Sequence, residues 1–300
     1  MTNRRDALKC LGVGAGTLFT LSGGVFSAFD MAQARIADVG TPLFLQISDT
    51  HIGFNKEANP DVIGTLNSTI DAVNALPAPP AFALHTGDVT HLSKAGEFDT
   101  ASQLLSRLKV GEMHIVPGEH DVTDGPGAEF FARFGKPSNN RGYYSFDAKG
   151  VHFIALVNVM NFKPNGLGAL GEDQLAWLKD DLAGRSASQP VVVFAHMPLW
   201  TIYQPWGWGT GEGEQIAALL RRFGSVTVLN GHIHQIVQKV EGNILFHTAR
   251  STAYPQPMAG VGSGPGPLLV PPADLPGMLG VTMAVADRKR RLSLTDATLA

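Results

Sequence analysis

Cysteine is nearly absent from this chain: Cys10 is the single one in 300 residues. One thiol excludes a disulfide framework and every cysteine-based metal site, so a bound metal would have to be held by His, Asp, Glu or Asn. Charge is sparse as well, with 16% charged residues and a formal net charge of −3. No basic excess is left to bind a nucleic-acid polymer or an anionic membrane surface. The 44% apolar content suits one large domain or two small ones with a substantial core. Against this economy of charge the chain carries His at 10 positions, more than packing needs, so those positions matter.

The N-terminal segment does not read as part of the fold. Asn3-Arg4-Arg5-Asp6-Ala7-Leu8-Lys9 sets paired arginines ahead of an apolar run from Leu11 to Phe29, which ends at Ala32-Gln33-Ala34. A charged start, an apolar middle and a small-residue cleavage pattern make a secretory signal. The arginine pair resembles the twin-arginine motif. The run is glycine-rich and broken by serine and threonine, so it makes a poor spanning helix, and cleavage is favoured over a stable membrane anchor. The expected division is a signal over residues 1–34 and a mature domain over 35–300. Export of folded cargo by the twin-arginine machinery would place the protein in the periplasm or outside the cell, without Cys10.

Short apolar runs recur, and each ends in a polar loop. Pro42–Ser48 runs into Asp49, Ala81–Thr86 into Gly87-Asp88, and Met113–Val116 into Pro117-Gly118-Glu119-His120-Asp121. Val191–Ala195 runs into His196, and Val226–Leu229 into Asn230-Gly231-His232-Ile233-His234. Runs of this length and composition predict buried strands. Apolar residues at helical spacing predict helices over 61–76, 97–108, 172–182 and 214–223. Strand–helix alternation predicts an α/β protein. Hairpins expected at 143–146 with 151–158, turning at Lys149-Gly150, and at 280–286 with 291–295 make the sheets mixed. The basic run Arg288–Arg291 reads as a solvated turn. Residues 254–277, dense in Pro and Gly, predict a long loop or flap.

Residues of metal-ligand type stand at the C-terminal end of all five strands, where open α/β sheets place their sites. Asp49 and His51 are two apart, as are His232 and His234, so each pair projects from one face if the chain is extended. Asp88 follows a glycine, Glu119 and His120 share a tight turn, and His196 completes the set. Carboxylates with neutral imidazoles suit Zn, Mn or Fe. So many ligands exceed the needs of one tetrahedral ion, which points to two ions sharing a carboxylate.

Asp49-Thr50-His51, Gly87-Asp88, Gly118-Glu119-His120-Asp121, His196 and Gly231-His232-Ile233-His234 together resemble the five ordered blocks of calcineurin-like metallophosphoesterases. Ser48-Asp49-Thr50-His51 and the compact spacing are most similar to the class III cyclic-nucleotide phosphodiesterase branch. The resemblance implies a four-layer α/β/β/α sandwich of two mixed sheets. It implies one metal on Asp49, His51, Asp88 and His234, and a second on Asp88, Glu119, His196 and His232. A hydroxide between the ions would attack a small phosphate ester, His120 would act near the leaving oxygen, and Asp121 would orient His120 from behind.

Glu119 departs from the pattern, because the family has asparagine there. With Asp49, Asp88 and Glu119 ionised, three carboxylates and a hydroxide balance two divalent ions; asparagine would leave one positive charge over. An Fe(III)-containing pair and a preference for singly charged diesters are the expected consequences. If Glu119 does not bind metal, the chain is instead a non-catalytic metal- or phosphate-binding protein, a reading that the retained His120 and Asp121 oppose. A phosphomonoesterase or nucleotidase is the other alternative.

His85, His114, His152 and His247 fall within apolar strand patterns and read as packed or hydrogen-bonded. His91 has two readings, a support for the site or a residue at a surface helix start. Trp200, Tyr203, Trp206 and Trp208 likewise read as an aromatic wall for an organic leaving group or as a cluster that pins a loop.

Overall fold

The computed structural model describes residues 19–22, 25–28, 34–35, 42–139, 141–161, 166–286 and 292–300. The chain divides into two units, Met1–Gln33 and Ala34–Ala300. In the first, β1 (Phe19–Ser22) and β2 (Val25–Ala28) pair antiparallel. The arginine pair and Cys10 of the expected signal lie outside the described residues. Among the described residues no helix is long and apolar enough to cross a membrane.

The second unit opens with β3 (Ala34–Arg35), β4 (Phe44–Ile47), α1 (Val62–Asn74), β5 (Phe82–His85), α2 (Ala95–Leu105) and β6 (Met113–Ile115). Then come α3 (Ala128–Phe134), β7 (Tyr144–Ala148), β8 (Val151–Ala155), α4 (Glu172–Ala183), β9 (Val191–Phe194) and α5 (Gly213–Leu220). The chain ends with β10 (Val226–Asn230), β11 (Gln238–Glu241), β12 (Ile244–Thr248), α6 (Leu275–Met278), β13 (Gly280–Ala286) and β14 (Leu292–Thr298). One sheet has the order β3-β14-β13-β4-β5-β6, the other β11-β12-β10-β9-β8-β7. In the first, β4, β5 and β6 run parallel, β13 runs antiparallel to β4, and β14 pairs antiparallel with β13 and parallel with β3. In the second, β8, β9, β10 and β12 run parallel, with β7 and β11 antiparallel at the edges. Both sheets are mixed, as expected.

The period of two along each strand builds the layers. Leu45, Ile47 and Ala83 face the cluster that holds α1 and α2, while Phe44, Phe82 and Leu84 face the other sheet. Val191, Val193 and Val228 face α4 and α5, while Val192, Phe194 and Leu229 turn inward. The result is the four-layer α/β/β/α sandwich. In the layer between the sheets, Phe44, Phe82 and Phe153 meet in stacked and edge-on contacts at centroid separations of 5.1–5.6 Å.

The four expected helices are present with shifted ends. α1 begins where the Asp61 carboxylate accepts a hydrogen bond from the Gly64 amide at 2.8 Å. α2 starts two residues early because the Glu97 carboxylate accepts from the amides of Leu92 and Lys94 ahead of it. The β7–β8 hairpin turns at Lys149 and Gly150, with φ of 51° and 80°, the geometry of a tight two-residue turn. The final hairpin forms, but its basic turn, residues 287–291, lies outside the described residues. The β11–β12 hairpin and α3 are additions to the sequence reading. Residues 254–277 form a long irregular segment that ends by entering α6.

Candidate metal centre

The parallel strands of both sheets deliver their C-terminal ends to one edge, and all nine expected site residues gather there. Asp49 and His51 follow β4, Asp88 follows β5, and His196 follows β9. Glu119, His120 and Asp121 form a 3₁₀ turn after β6, and His232 and His234 follow β10. One local expectation fails: the paired ligands are not extended. Asp49, His51, Asp88, His232 and His234 have φ of 53°, 41°, 53°, 69° and 55°. The chain reverses through left-handed turns to aim these side chains, at a cost of roughly 1–3 kcal/mol each. Strain concentrated on five candidate ligands marks a functional site.

Close backbone approach explains two of the glycines. A Cβ on Gly118 would collide with the Asp88 carboxylate, and one on Gly231 would collide with Ser48 and come within 2.6 Å of Asp49 Oδ2. Both carboxylates therefore press against bare backbone.

Two triplets of donor atoms flank Asp88. Asp49, His51 and His234 make one, and Glu119, His196 and His232 the other. Asp88 Oδ2 lies 3.5 Å from His51 Nε2 and 3.4 Å from His196 Nε2, so it faces both. Glu119 Oε2 is 2.7 Å from His196 Nε2, and Oε1 is 2.9 Å from His232 Nδ1. His51 Nε2 and His234 Nε2 face each other at 3.1 Å.

The tautomers show what this arrangement is for. His196 Nδ1 donates to the Thr86 carbonyl at 2.7 Å, and His234 Nδ1 donates to the Tyr254 carbonyl at 2.6 Å. A carbonyl can only accept, so each neutral ring keeps its proton on Nδ1 and turns a lone pair inward at Nε2. Among the described residues, buried Glu119 Oε2 and His196 Nε2 have no hydrogen-bond partner, and they face each other at 2.7 Å. With the rings neutral, their lone pairs and the carboxylate oxygens converge on one point, a donor set that fits a cation.

The electrostatics agree. Burial opposes charge on the His196 ring, but Asp88 and Glu119 outweigh it and raise the ring well above its ordinary range. Burial would raise Glu119 and Asp49; the surrounding histidines, His232 first for Glu119 and His234 first for Asp49, hold both carboxyls down instead. The carboxylates create a field that demands positive charge, which bound metal ions satisfy.

His120 sits against this centre. Burial opposes its charged form, but Asp88 and Glu119 raise its pKa overall. Its Nδ1 donates to the His91 carbonyl at 2.8 Å, and Ser93 Oγ donates to the His120 carbonyl at 2.7 Å. Asp121 does not stand behind the His120 ring as expected. Its carboxylate accepts from the amides of Val89, Thr90 and Gly118 at 2.8–3.0 Å, and from Thr90 Oγ1. The carbonyl of His91 takes the expected place, and Asp121 staples the Asp88 loop to the Glu119 turn. Burial, with Asp88 nearby, pushes the Asp121 carboxyl up to about 7.

Supports outside the expected set complete the centre. Ser251 Oγ donates to the Asp49 carbonyl at 2.7 Å, and Gln256 Nε2 donates to the His232 carbonyl at 2.8 Å. Asn230 Nδ2 donates to the carbonyls of Ala195 and Met197 at 2.9 Å, fixing the His196 loop. Tyr254 stacks on His51 with centroids 4.8 Å apart. Of these, Asn230 sits beside a recognised block in the sequence; the others carry no local signal.

A cleft of about 340 Å³ opens over the centre. Its floor includes Asp88, Glu119 and His120, and its walls include Phe54, Trp206 and Trp208. Pro265, Gly266 and Pro267 of the 254–277 segment close one side. The aromatic cluster thus divides. Trp206 and Trp208 line the cleft, whereas Trp200 packs on Phe246 in the outer core. Among the described residues, the buried indole nitrogen of Trp208 has no acceptor.

The other histidines pack as expected. His85 is buried with Nδ1 accepting from the Gly87 amide, and burial pushes it down to about 3. His114 stacks on Phe146, and His152 lies between Asp147 and Asp181. His247 contacts Asp296 and Thr282. His91 belongs to the site: its ring stacks on His120, and its Nδ1 is 3.4 Å from His51 Nδ1. Burial, then His120 and Lys56, push it down to about 4.

The chain is similar to several known proteins. It is 25% identical over 228 residues to a probable cyclic nucleotide phosphodiesterase of Rhodopseudomonas palustris, covering 70% of this chain and 78% of the relative. It is also 25% identical over 217 residues to a serine/threonine-protein phosphatase of Danio rerio, covering 64% of this chain and 70% of the relative. Among solved structures, a dimetal phosphatase from Danio rerio superimposes with a TM-score of 0.62 at 15% identity, over 85% of this chain and 99% of that one, which shows a shared fold. Residues 42–236 match the calcineurin-like phosphoesterase family, a span that takes in every candidate site residue, and the chain belongs to that family.

Proposed function

We propose that this metal-dependent phosphoesterase is a two-metal phosphodiesterase. One ion would be held by Asp49, His51, Asp88 and His234, and the other by Asp88, Glu119, His196 and His232. The observation that carries this reading is Asp88 Oδ2, set 3.5 Å and 3.4 Å from the inward nitrogens of two separate ligand groups. Two ions there would clamp the phosphoryl oxygens and activate water near neutral pH.

The protein's own groups supply the rest. Asp88 joins the two positions, and Tyr254, Thr86 and Ser251 fix the ligands through the hydrogen bonds described above. His120, its Nδ1 proton held by the His91 carbonyl, offers Nε2 to the cleft. As an imidazolium it donates that proton to the departing alkoxide. Trp206, Trp208 and Phe54 give an organic alcohol group an apolar, water-poor seat.

Diester preference rests on Glu119. Its carboxylate touches both His196 and His232, where it would lower the positive field that attracts doubly charged monoesters. The same charge favours an Fe(III)-containing pair over two divalent ions. The phosphatase name of the Danio rerio relative supports the monoester alternative. The paired arginines and the apolar run that follows support export by the twin-arginine route to the periplasm or beyond.

The test is metal content alongside hydrolysis of a chromogenic diester and its monoester, in the wild type, Glu119→Asn and His120→Ala. Two ions per chain, diester hydrolysis abolished by His120→Ala, and a diester/monoester ratio falling at least fivefold in Glu119→Asn are expected. An unchanged ratio would remove the Glu119 argument. Two ions without turnover would leave a binding protein.

A further inference from the structure

We propose that His91 is a positioning residue: it keeps His51 in the tautomer able to take a metal ion and supports the His120 ring beside the cleft. The ligand part of this inference rests on the two-metal reading.

His51 presents Nε2 to the centre, facing Asp88 Oδ2 at 3.5 Å and His234 Nε2 at 3.1 Å. To serve as a ligand there, Nε2 must be free of a proton. The neutral ring must then carry its proton on Nδ1. His234 and His196 secure this state through backbone carbonyls; among the described contacts of His51 Nδ1, the partner is instead the side-chain nitrogen His91 Nδ1 at 3.4 Å. Imidazole facing imidazole has two possible proton orders. If His91 accepts, the His51 proton stays on Nδ1 and the lone pair faces the metal position. If His91 donates, the proton moves to His51 Nε2, against His234, and blocks that position. A neutral His91 with its own proton on Nε2 makes the first order available.

The same residue braces His120 twice. The two rings stack with centroids 4.8 Å apart and planes 16° apart, and the His91 carbonyl accepts the Nδ1 proton of His120. The segment that carries His91 is fixed from both sides. The Leu92 amide donates to Glu97 Oε2 at 2.8 Å, and Ser93 Oγ receives the Thr123 amide at 2.9 Å while donating to the His120 carbonyl. One half-buried ring thus links a candidate ligand to the candidate acid, which explains its contact with both.

Two substitutions separate these roles. His91→Phe keeps a ring for stacking and removes the acceptor. His91→Gln keeps an acceptor and removes the ring. The backbone carbonyl remains in both. Zinc affinity and stoichiometry, read by competition with a chelator, and the protonation of the His51 ring nitrogens, read by long-range ¹H–¹⁵N NMR on the zinc-free and zinc-loaded full chain, are the measurements. In His91→Phe the affinity for one ion should fall at least about tenfold while the other is unchanged, and the His51 proton should no longer sit solely on Nδ1. His91→Gln should recover most of that affinity.

Wild-type affinity for both ions in His91→Phe, with the His51 proton still on Nδ1, would overturn the proposal. So would a third ion in the wild type that His91→Phe loses, because His91 would then be a ligand itself. A wild-type chain that binds no zinc would sink the two-metal reading; the ring-nitrogen spectrum of the zinc-free chain would still decide the hydrogen bond.

Discussion

His247 of β12 and Asp296 of β14 belong to different sheets, and their side chains meet in the layer between them. His247 Nε2 lies 3.0 Å from Asp296 Oδ1, while His247 Nδ1 is 2.9 Å from the Gln238 side-chain amide. Thr282 Oγ1 donates to the same carboxylate at 2.7 Å. With Gln238 donating to Nδ1, the His247 Nε2 proton points at Asp296. Burial would raise the Asp296 carboxyl, but His247 outweighs it and the folded value lies below the ordinary one. A carboxyl depressed by folding contributes stability above its unfolded value, and that contribution is lost as pH falls through the folded value. Asp296→Asn should therefore cost about 2 kcal/mol near neutral pH, with the deficit shrinking as the pH falls below the usual carboxylate range. Denaturant unfolding of both proteins across that range checks this; a constant deficit would assign the effect to packing.

Gly118 gives a prediction about close approach. Its missing Cβ would occupy the space of the Asp88 carboxylate. Gly118→Ala should displace Asp88 and lower the affinity for both ions at once by tenfold or more, because Asp88 faces both triplets. The buried sheets do not depend on that contact, so circular dichroism should stay near wild type. Loss of one ion alone would show that Asp88 serves a single position.

Asp121 separates loop stapling from ring orientation. Its carboxylate holds three amides and a hydroxyl, while the His120 Nδ1 proton goes to the His91 carbonyl. Asp121→Asn leaves at least one buried amide facing a side-chain NH₂ and should cost about 1–3 kcal/mol. Metal affinity should fall with it, since the stapled loops carry Asp88 and Glu119. The alkaline limb of kcat against pH, which His120 sets as the proton donor, should move little. A large shift of that limb in Asp121→Asn would restore Asp121 as the direct partner of His120.

The strand ends were legible because buried parallel strands are short and apolar, and the polar residues that interrupt them are the site. The left-handed turns were not legible. Asp49 and His51 at a spacing of two suggest an extended chain, and nothing local reports that each adopts positive φ. β11 escaped notice because Gln238-Lys239-Val240-Glu241 is a polar edge strand. The supports from Ser251, Tyr254 and Gln256 were hidden for a different reason: they reach the ligands across about 20 to 200 positions of sequence, with backbone carbonyls as partners. Backbone acceptors leave no residue-type signature.

Export can be tested on the residues that suggest it. Replacing Arg4 and Arg5 by lysine should leave the chain in the cytoplasmic fraction at its unprocessed length, whereas the wild type should appear outside the inner membrane and shorter by about 34 residues. N-terminal sequencing of the exported form locates the cleavage. Unaltered export of the lysine variant would redirect the signal to the general secretory route.

The division of the tryptophans makes the last prediction. Trp206 lines the cleft and meets Trp208 edge-on at 5.0 Å, while Trp200 lies against Phe246 at 5.1 Å behind the sheet. Trp206 contacts solvent and ligand space, so removing it should weaken binding of an aromatic alcohol group while leaving the fold intact. Trp206→Ala should raise KM for an aryl phosphodiester about fivefold to tenfold, equivalent to about 1–1.4 kcal/mol of lost aromatic contact, and should barely change KM for a diester with methyl groups. Trp200→Ala should show the reverse: about 2 kcal/mol of stability lost from the outer core, with both KM values near wild type. Steady-state kinetics on the two diesters, paired with denaturant unfolding, distinguish them. If Trp206→Ala raises KM equally for aryl and methyl diesters, the tryptophan shapes the cleft without seating the leaving group.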